Sequence, residues 1–313
     1  MIHNISIILS LSLVMQTATI ASTGNAGSDL EVSPIAENVY SIVSPSFGLP
    51  TPENKGWNSN VHFVVTGKGV LLFDTGSSQQ IGLKIKRAIG TVTDQPVRWI
   101  VNSHSHADHW LGNMAFADTA NEIIASGQAV ATMQKYGEDD VKFYAKVTDG
   151  TIGPTQLRYP NSILTTGQKR NFGEIDVTFI FSNNGHSPGD ILMWLPKQKI
   201  LFGGDVASSD HMPMITDHGD IPGLIKVLFT VAELHPDIVL TGHGNATTAK
   251  SITRDANLLT SLWEIVKENH SNGKMPDETL VEVSAELGPQ YEPLYIDFVS
   301  EIDRHIDLMY QLQ

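Results

Sequence analysis

The segment His104-Ser105-His106-Ala107-Asp108-His109 places four imidazole or carboxylate side chains within six consecutive positions. In a loop, that spacing lets several of them converge on one small volume, as a divalent metal ion requires. Two more histidines stand among glycines that permit tight turns: His186 in Asn184-Gly185-His186-Ser187-Pro188-Gly189-Asp190, and His243 in Thr241-Gly242-His243-Gly244. A carboxylate, Asp205, follows Ile200-Leu201-Phe202-Gly203-Gly204 in the same manner. Any one of these histidines could be a hydrogen-bonded structural residue. Jointly they form a ligand set. Five imidazoles and two carboxylates suit borderline divalent metals, zinc first, with iron or manganese as alternatives. Zinc takes ~4 ligands, so the full set is too large for one ion and fits two that share a bridge and a water. The chain contains no cysteine, which excludes thiolate ligands, a Cys nucleophile and a disulfide framework.

These residues need a scaffold that brings loops together, and the pattern of the chain supplies one. Short β-like runs bounded by turns alternate with helical periods, as in layered α/β architecture. Val39 to Val43, Val61 to Thr66 and Val70 to Phe73 read as strands, the last ending in Asp74-Thr75-Gly76. A helix from about Gln79 to Ile89 precedes a strand from Val97 to Val101, which delivers the chain into the histidine segment. Gln128 to Lys146 reads as helix and Val177 to Phe181 as strand. Ile191 to Leu195 with Lys199 to Phe202 reads as a hairpin, Leu224 to Leu234 as helix and Asp237 to Leu240 as a last core strand. Apolar residues at helical spacing (Ile252, Ala256, Leu259, Trp263, Val266, and Tyr295, Phe298, Ile302, Ile306, Met309) give two C-terminal helices that pack on the core. Strand-end loops are where such sheets put their chemistry.

Composition narrows the class further. With 313 residues, 41% apolar and 17% charged, the chain is an ordinary globular one. Its net charge of −14 would repel nucleic-acid phosphates and anionic membranes, and no basic patch offsets it. A small-molecule substrate is therefore expected, with no nucleic-acid partner. Met1 to Ser28 has no Asp, Glu, Lys or Arg, and Ile5 to Met15 is an apolar run of signal-peptide length, too short to span a bilayer. Export to the periplasm or the medium is expected, with residues 1–26 as signal peptide and short tail, 29–250 as the catalytic domain and 251–313 as C-terminal helices.

On Asp74, His104 to His109, His186, Asp205 and His243, in that order, the chain resembles the metallo-β-lactamase superfamily from roughly Val39 to His243. The resemblance implies an α/β fold, a four-layer αββα sandwich with the metals at one edge of two sheets, here with a C-terminal helical extension. It implies that His104, His106 and His186 hold a first zinc ion, that Asp108, His109 and His243 hold a second, and that Asp205 bridges them. A metal-bridging hydroxide would then attack an ester, lactone, thioester or amide carbonyl, with Asp108 also shuttling a proton. Asp74 looks like the family's outer carboxylate, which fixes a ligand and a loop.

True β-lactamases of this superfamily usually carry Cys or Ser where Asp205 stands, so the ligand set is closer to lactonases and hydroxyacylglutathione hydrolases. Activity on β-lactam antibiotics is an alternative, as is a mononuclear iron sulfur dioxygenase. The wording around His109-Trp110-Leu111-Gly112-Asn113, Gly185 to Asp190 and Leu201 to Asp205 is similar to exported quinoprotein-relay-type zinc hydrolases. The loop from Pro45 to Ser59 carries Phe47 and Trp57, placed where family members lay an apolar loop over the substrate. His211, Met212 and His218 follow Asp205 closely and read either as pocket-lining or as ordinary loop residues.

Overall fold

The computed structural model describes residues 30–313, so the expected leader lies outside the described residues. The first half of the chain runs β1 (Ser33–Ala36), β2 (Val39–Ile42), β3 (Val61–Val65), β4 (Val70–Phe73), α1 (Gln79–Gly90), β5 (Val97–Val101), α2 (Ala107–Trp110), a 3-10 turn (Leu111–Phe116), β6 (Glu122–Ser126), α3 (Gly127–Val147) and β7 (Ser162–Leu164). The second half runs β8 (Lys169–Phe172), β9 (Ile175–Asn184), β10 (Pro188–Leu195), β11 (Ile200–Gly204), α4 (Ile221–Ala232), β12 (Ile238–Thr241), α5 (Ala249–Ser271), α6 (Pro276–Glu286), α7 (Gly288–Tyr291) and α8 (Phe298–Gln311).

Strands β1 to β7 form one sheet in sequence order, antiparallel as far as β4 and parallel from there on. The second sheet has the order β12-β11-β10-β9-β8 and is antiparallel except where β12 joins β11. Side-chain alternation then builds the layers. On β4, Leu71 and Phe73 point between the sheets, where they meet Ile191, Met193, Ile200, Phe202 and Leu240 of the second sheet. Val70 and Leu72 point outward onto Ile81, Ile85 and Ala88 of α1. On the far side, Leu192, Trp194, Leu201 and Val239 face α4, α5 and α8 through Leu228, Leu259 and Ile306. Both sheets are thus buried on both faces, which is why their central strands are continuously apolar rather than alternating. The result is the αββα sandwich.

Helix starts follow local chemistry. Ser78 accepts from Ile81 N to cap α1, Asp220 accepts from Gly223 N to cap α4, and Thr248 caps α5. Each bond satisfies one donor that the first turn leaves unpaired. Ile85 is fully buried between α1 and the sheet, and truncating it to Ala would cost ~2–5 kcal/mol. The two expected C-terminal helices are α5 and α8, packed on the core with α6 between them in sequence. Among the described residues, no helix is long and apolar enough to cross a membrane.

Candidate metal centre

Asp74, His104, Asp205 and His243 each lie within three residues of the C-terminal end of a core strand (β4, β5, β11 and β12), and His186 lies in the turn between β9 and β10. All of these strand ends meet at one rim of the sandwich. There the donor atoms gather into two groups, His104, His106, His186 and Asp205 in one and Asp108, His109 and His243 in the other, each within 4.8 Å. Asp205 touches both: Oδ2 lies 3.6 Å from His104 Nε2, 3.5 Å from His186 Nε2 and 3.3 Å from His243 Nε2, while Oδ1 lies 3.3 Å from His109 Nε2.

The outer nitrogens fix which way each ring presents its lone pair. Asp74 accepts from Ser103 N at 2.7 Å and from Ser103 Oγ at 2.8 Å. With its one proton spent, Ser103 Oγ can only accept from His104 Nδ1, 2.8 Å away. His109 Nδ1 donates to Asp74 Oδ2 at 2.9 Å, His186 Nδ1 to the Met214 carbonyl at 2.8 Å, and His243 Nδ1 to the Asn58 carbonyl at 2.7 Å. In its neutral form, each of these four rings therefore aims an Nε2 lone pair into the site. His106 offers Nδ1, which lies 3.0 Å from both His104 Nε2 and His186 Nε2. One proton cannot serve both contacts well, and His109 Nε2 and Asp205 Oδ1 are buried without a hydrogen-bond partner. Lone pairs crowded together in a buried site repel unless a cation lies among them. The donor set fits a divalent ion in each group.

The charges agree. Burial would lower the His109 pKa, yet Asp205, Asp108 and Asp74 outweigh it and hold His109 well above the ordinary imidazole value, so these carboxylates draw positive charge to Nε2, which a metal ion would supply in place of a proton. Burial would raise Asp205, yet His109, His243 and His104 hold it well below the ordinary carboxylate value. Burial drives His106 down to about 3, with His186 adding to the effect, so that ring is neutral at physiological pH. Burial also raises Asp74, opposed by His109 and Ser103. Asp74 holds φ at +66°, a region that non-glycine residues seldom occupy and that Asp and Asn tolerate best. The turn bearing His186 is held by Asp190, whose Oδ1 accepts from Ser187 N at 3.0 Å and Ser187 Oγ at 2.7 Å.

Three residues that sequence reasoning passed over bind these loops together. Asn58 Nδ2 donates to Asp108 Oδ2 and to the Gly48 carbonyl, both at 2.9 Å. Ser59 Oγ donates to the Asp108 carbonyl at 2.5 Å, and Asn60 Nδ2 donates to the carbonyls of Thr241 and Gly244 at 3.0 and 2.8 Å. No spacing rule finds them, because all but the Asn58–Gly48 bond reach across 49 to 184 positions. Of the two aromatics expected over the site, Phe47 is there: it stacks on His211 with centroids 3.5 Å apart and meets His243 edge-on at 5.6 Å. Trp57 differs. It packs against the apolar cluster beneath the first sheet and donates Nε1 to the Ser59 carbonyl, since a large ring gains more from the core than from solvent. His211, for which the sequence left pocket lining and an ordinary loop place open, forms the platform for Phe47.

The sequence profile described as "Metallo-beta-lactamase superfamily" matches residues 54–243. The chain is 26% identical over 177 residues to metallo-beta-lactamase IND-1 of Chryseobacterium indologenes, covering 56% of this chain and 64% of that protein. It is 22% identical over 293 residues to the linear primary-alkylsulfatase of Pseudomonas sp. (strain ATCC 19151), covering 78% of this chain and 53% of that protein. The chain thus spans less than two thirds of the length of either relative. Among solved structures, a metallo-beta-lactamase from Pontibacter korlensis superposes with a TM-score of 0.59 at 22% identity, covering 74% of this chain and 99% of that one. The sec-alkylsulfatase Pisa1 from Pseudomonas sp. superposes with a TM-score of 0.63 at 14% identity, covering 82% and 45%. These likenesses establish the fold.

Proposed function

Because the chain belongs to the metallo-β-lactamase superfamily, we propose that it is a dinuclear zinc hydrolase acting on acyl compounds: esters, lactones, thioesters or amides. The observation that carries this reading is the pair of donor groups with Asp205 in contact with both. His104, His106 and His186 would hold one ion, Asp108, His109 and His243 the other, and Asp205 both. When bound, such ions supply Lewis acidity toward a substrate oxygen and toward water.

The protein's own contribution is order and proton transfer. Asp74, Ser103, Asn58 and the Met214 carbonyl keep His104, His109, His186 and His243 in the tautomer that leaves Nε2 free, as outer partners of metal ligands do. Asn58, His109 and His243 all engage Asp108 through Oδ2, which leaves Oδ1 to carry a proton to the departing group. Phe47 on His211 forms an apolar wall beside His243 that holds an acyl chain and excludes water. Asp205 where β-lactamases carry Cys or Ser supports esterase or lactonase chemistry over β-lactam cleavage. The apolar, charge-free stretch before Asp29 supports export, which N-terminal sequencing of the mature protein from a periplasmic fraction would check.

The test is a hydrolysis panel of lactones, thioesters, aryl esters, alkyl sulfates and β-lactams, run on chelator-treated protein before and after zinc is restored. Zinc-dependent turnover of a lactone, ester or thioester is expected. Turnover confined to β-lactams or alkyl sulfates, or turnover indifferent to zinc, would overturn the proposal.

A further inference from the structure

From Val206 to Asp220 the chain has neither helix nor strand, yet Val206, Ala207, Ser208, Met212 and Ile215 are buried. Buried backbone groups outside regular structure must find partners elsewhere, and here the C-terminal helices provide them. The Ser209 carbonyl accepts from Arg254 Nη2 on α5 at 2.6 Å, and the Asp210 carbonyl accepts from Ile296 N at 2.9 Å. Met212 N donates to Asp297 Oδ1 at 2.8 Å, and the Pro213 carbonyl lies 2.8 Å from His305 Nε2 on α8. The next residue is Met214, whose carbonyl fixes the ring of His186.

One of these side chains forgoes a nearer partner for this task, and another reaches the strap beside its local one. Asp297 stands at the N-cap of α8, where an aspartate ordinarily accepts from its own first turn. It makes no such bond and gives Oδ1 to Met212 instead. His305 is buried in α8 with Nδ1 facing the Glu301 carbonyl one turn back and Nε2 facing Pro213, 92 positions away in sequence. An amphipathic helix needs neither contact in order to pack.

We propose that the C-terminal extension is a brace for the metal centre, in which Asp297 and His305 are positioning residues that hold the Ser209–Met214 strap and, through the Met214 carbonyl, the ring of His186. The inference rests on reading His186 as a metal ligand. The same strap carries His211, so the brace also sets the platform on which Phe47 stacks.

The test uses the full chain with Asp297→Ala, with Asp297→Asn, which keeps an acceptor, and with His305→Gln. The readouts are stepwise zinc affinity by competition with a chromophoric chelator, and the imidazole Nδ1–H signals of the ¹⁵N-histidine-labelled apoprotein. Asp297→Ala and His305→Gln should weaken one of the two zinc steps by roughly 3- to 30-fold and shift or broaden the His186 signal. The His243 signal, anchored by Asn58, should stay in place, and Asp297→Asn should restore both readouts. Wild-type zinc steps and an unmoved His186 signal in Asp297→Ala would overturn the brace, as would equal disturbance of His186 and His243. A wild-type chain that binds no zinc would refute the metal reading itself, while the apoprotein spectra would still report on the brace.

Discussion

Replacing Asp74 by Asn isolates one proton. Asn tolerates the +66° φ of this position, so the backbone has no reason to move. The side-chain volume is retained as well. The carboxylate accepts three hydrogen bonds, from Ser103 N, Ser103 Oγ and His109 Nδ1, and an amide can reproduce them only in part. With its NH2 toward Ser103 N, two donors meet in a buried place, costing ~1–3 kcal/mol. With its NH2 toward His109, the imidazole must carry its proton on Nε2, which removes the lone pair that faces Asp205. Either way the group containing His109 is disordered. Zinc affinity there should fall about 10- to 100-fold, or ~1.4–2.7 kcal/mol, with a matching loss of kcat/KM. Burial opposes the charge on Asp74, so the neutral amide recovers part of the lost stability, and Tm should fall by only about 2–6 °C. Isothermal titration of zinc into the apoprotein, alongside a thermal melt, separates the two quantities. A variant with both zinc steps at wild-type affinity would refute the claim that Asp74 sets the His109 tautomer.

Other perturbations follow from the same geometry. Gly242→Ala would drive a Cβ into Asp205 Oδ1 and against Gly204, and activity should drop by at least ~100-fold with the fold intact by circular dichroism; near-normal turnover would contradict the placement of Asp205. Phe47→Ala removes a stacked pair worth ~0.5–1.5 kcal/mol, so KM should rise about 2- to 12-fold with kcat little changed, and a fall in kcat alone would point to a different role. Burial raises Asp255 to about 7 against the pull of Arg254 and Tyr295. The folded chain therefore keeps a proton that the unfolded chain releases above ~3.9, and stability declines as pH rises across that window, by up to ~4 kcal/mol. Urea melts of Asp255→Asn at several pH values should lack this slope, and a slope equal to the wild type would assign the effect elsewhere. Zinc at ~1,000 times its Kd should stabilise the protein against urea by ~4 kcal/mol, reversed by chelator; identical melts with and without zinc would oppose a built site.

The candidate donor set was legible because its members are chemically conspicuous and cluster: four of them stand between His104 and His109, and the others follow strands into glycine turns. The sandwich was legible because buried strands such as Val70–Phe73 and Ile191–Leu195 are apolar runs of strand length. What escaped has a common cause. Asn58 reaches His243 through its backbone carbonyl across 185 positions, and Met214 holds His186 in the same way; a carbonyl carries no residue signature. Strands β1, β7 and β8 went unread because polar or proline residues interrupt them, and β6 because its apolar run, Ile123 to Ala125, is only three residues long. Helix α6 offered a start signal in Pro276, Asp277 and Glu278, but it buries only Thr279 and Val283, too thin a stripe to show as periodicity. The C-terminal helices were read correctly as packing elements, while their polar contacts to the strap depend on a fold that periodicity does not describe.

The central claim is that two donor groups sharing Asp205 hold two ions. Elemental analysis of the full-length protein, purified without added metal and then equilibrated with zinc and desalted, tests it most directly. Two zinc ions per chain are expected, falling toward one in His109→Ala and in His186→Ala alike. A single iron per chain, or a chain that retains no metal after equilibration, would contradict it.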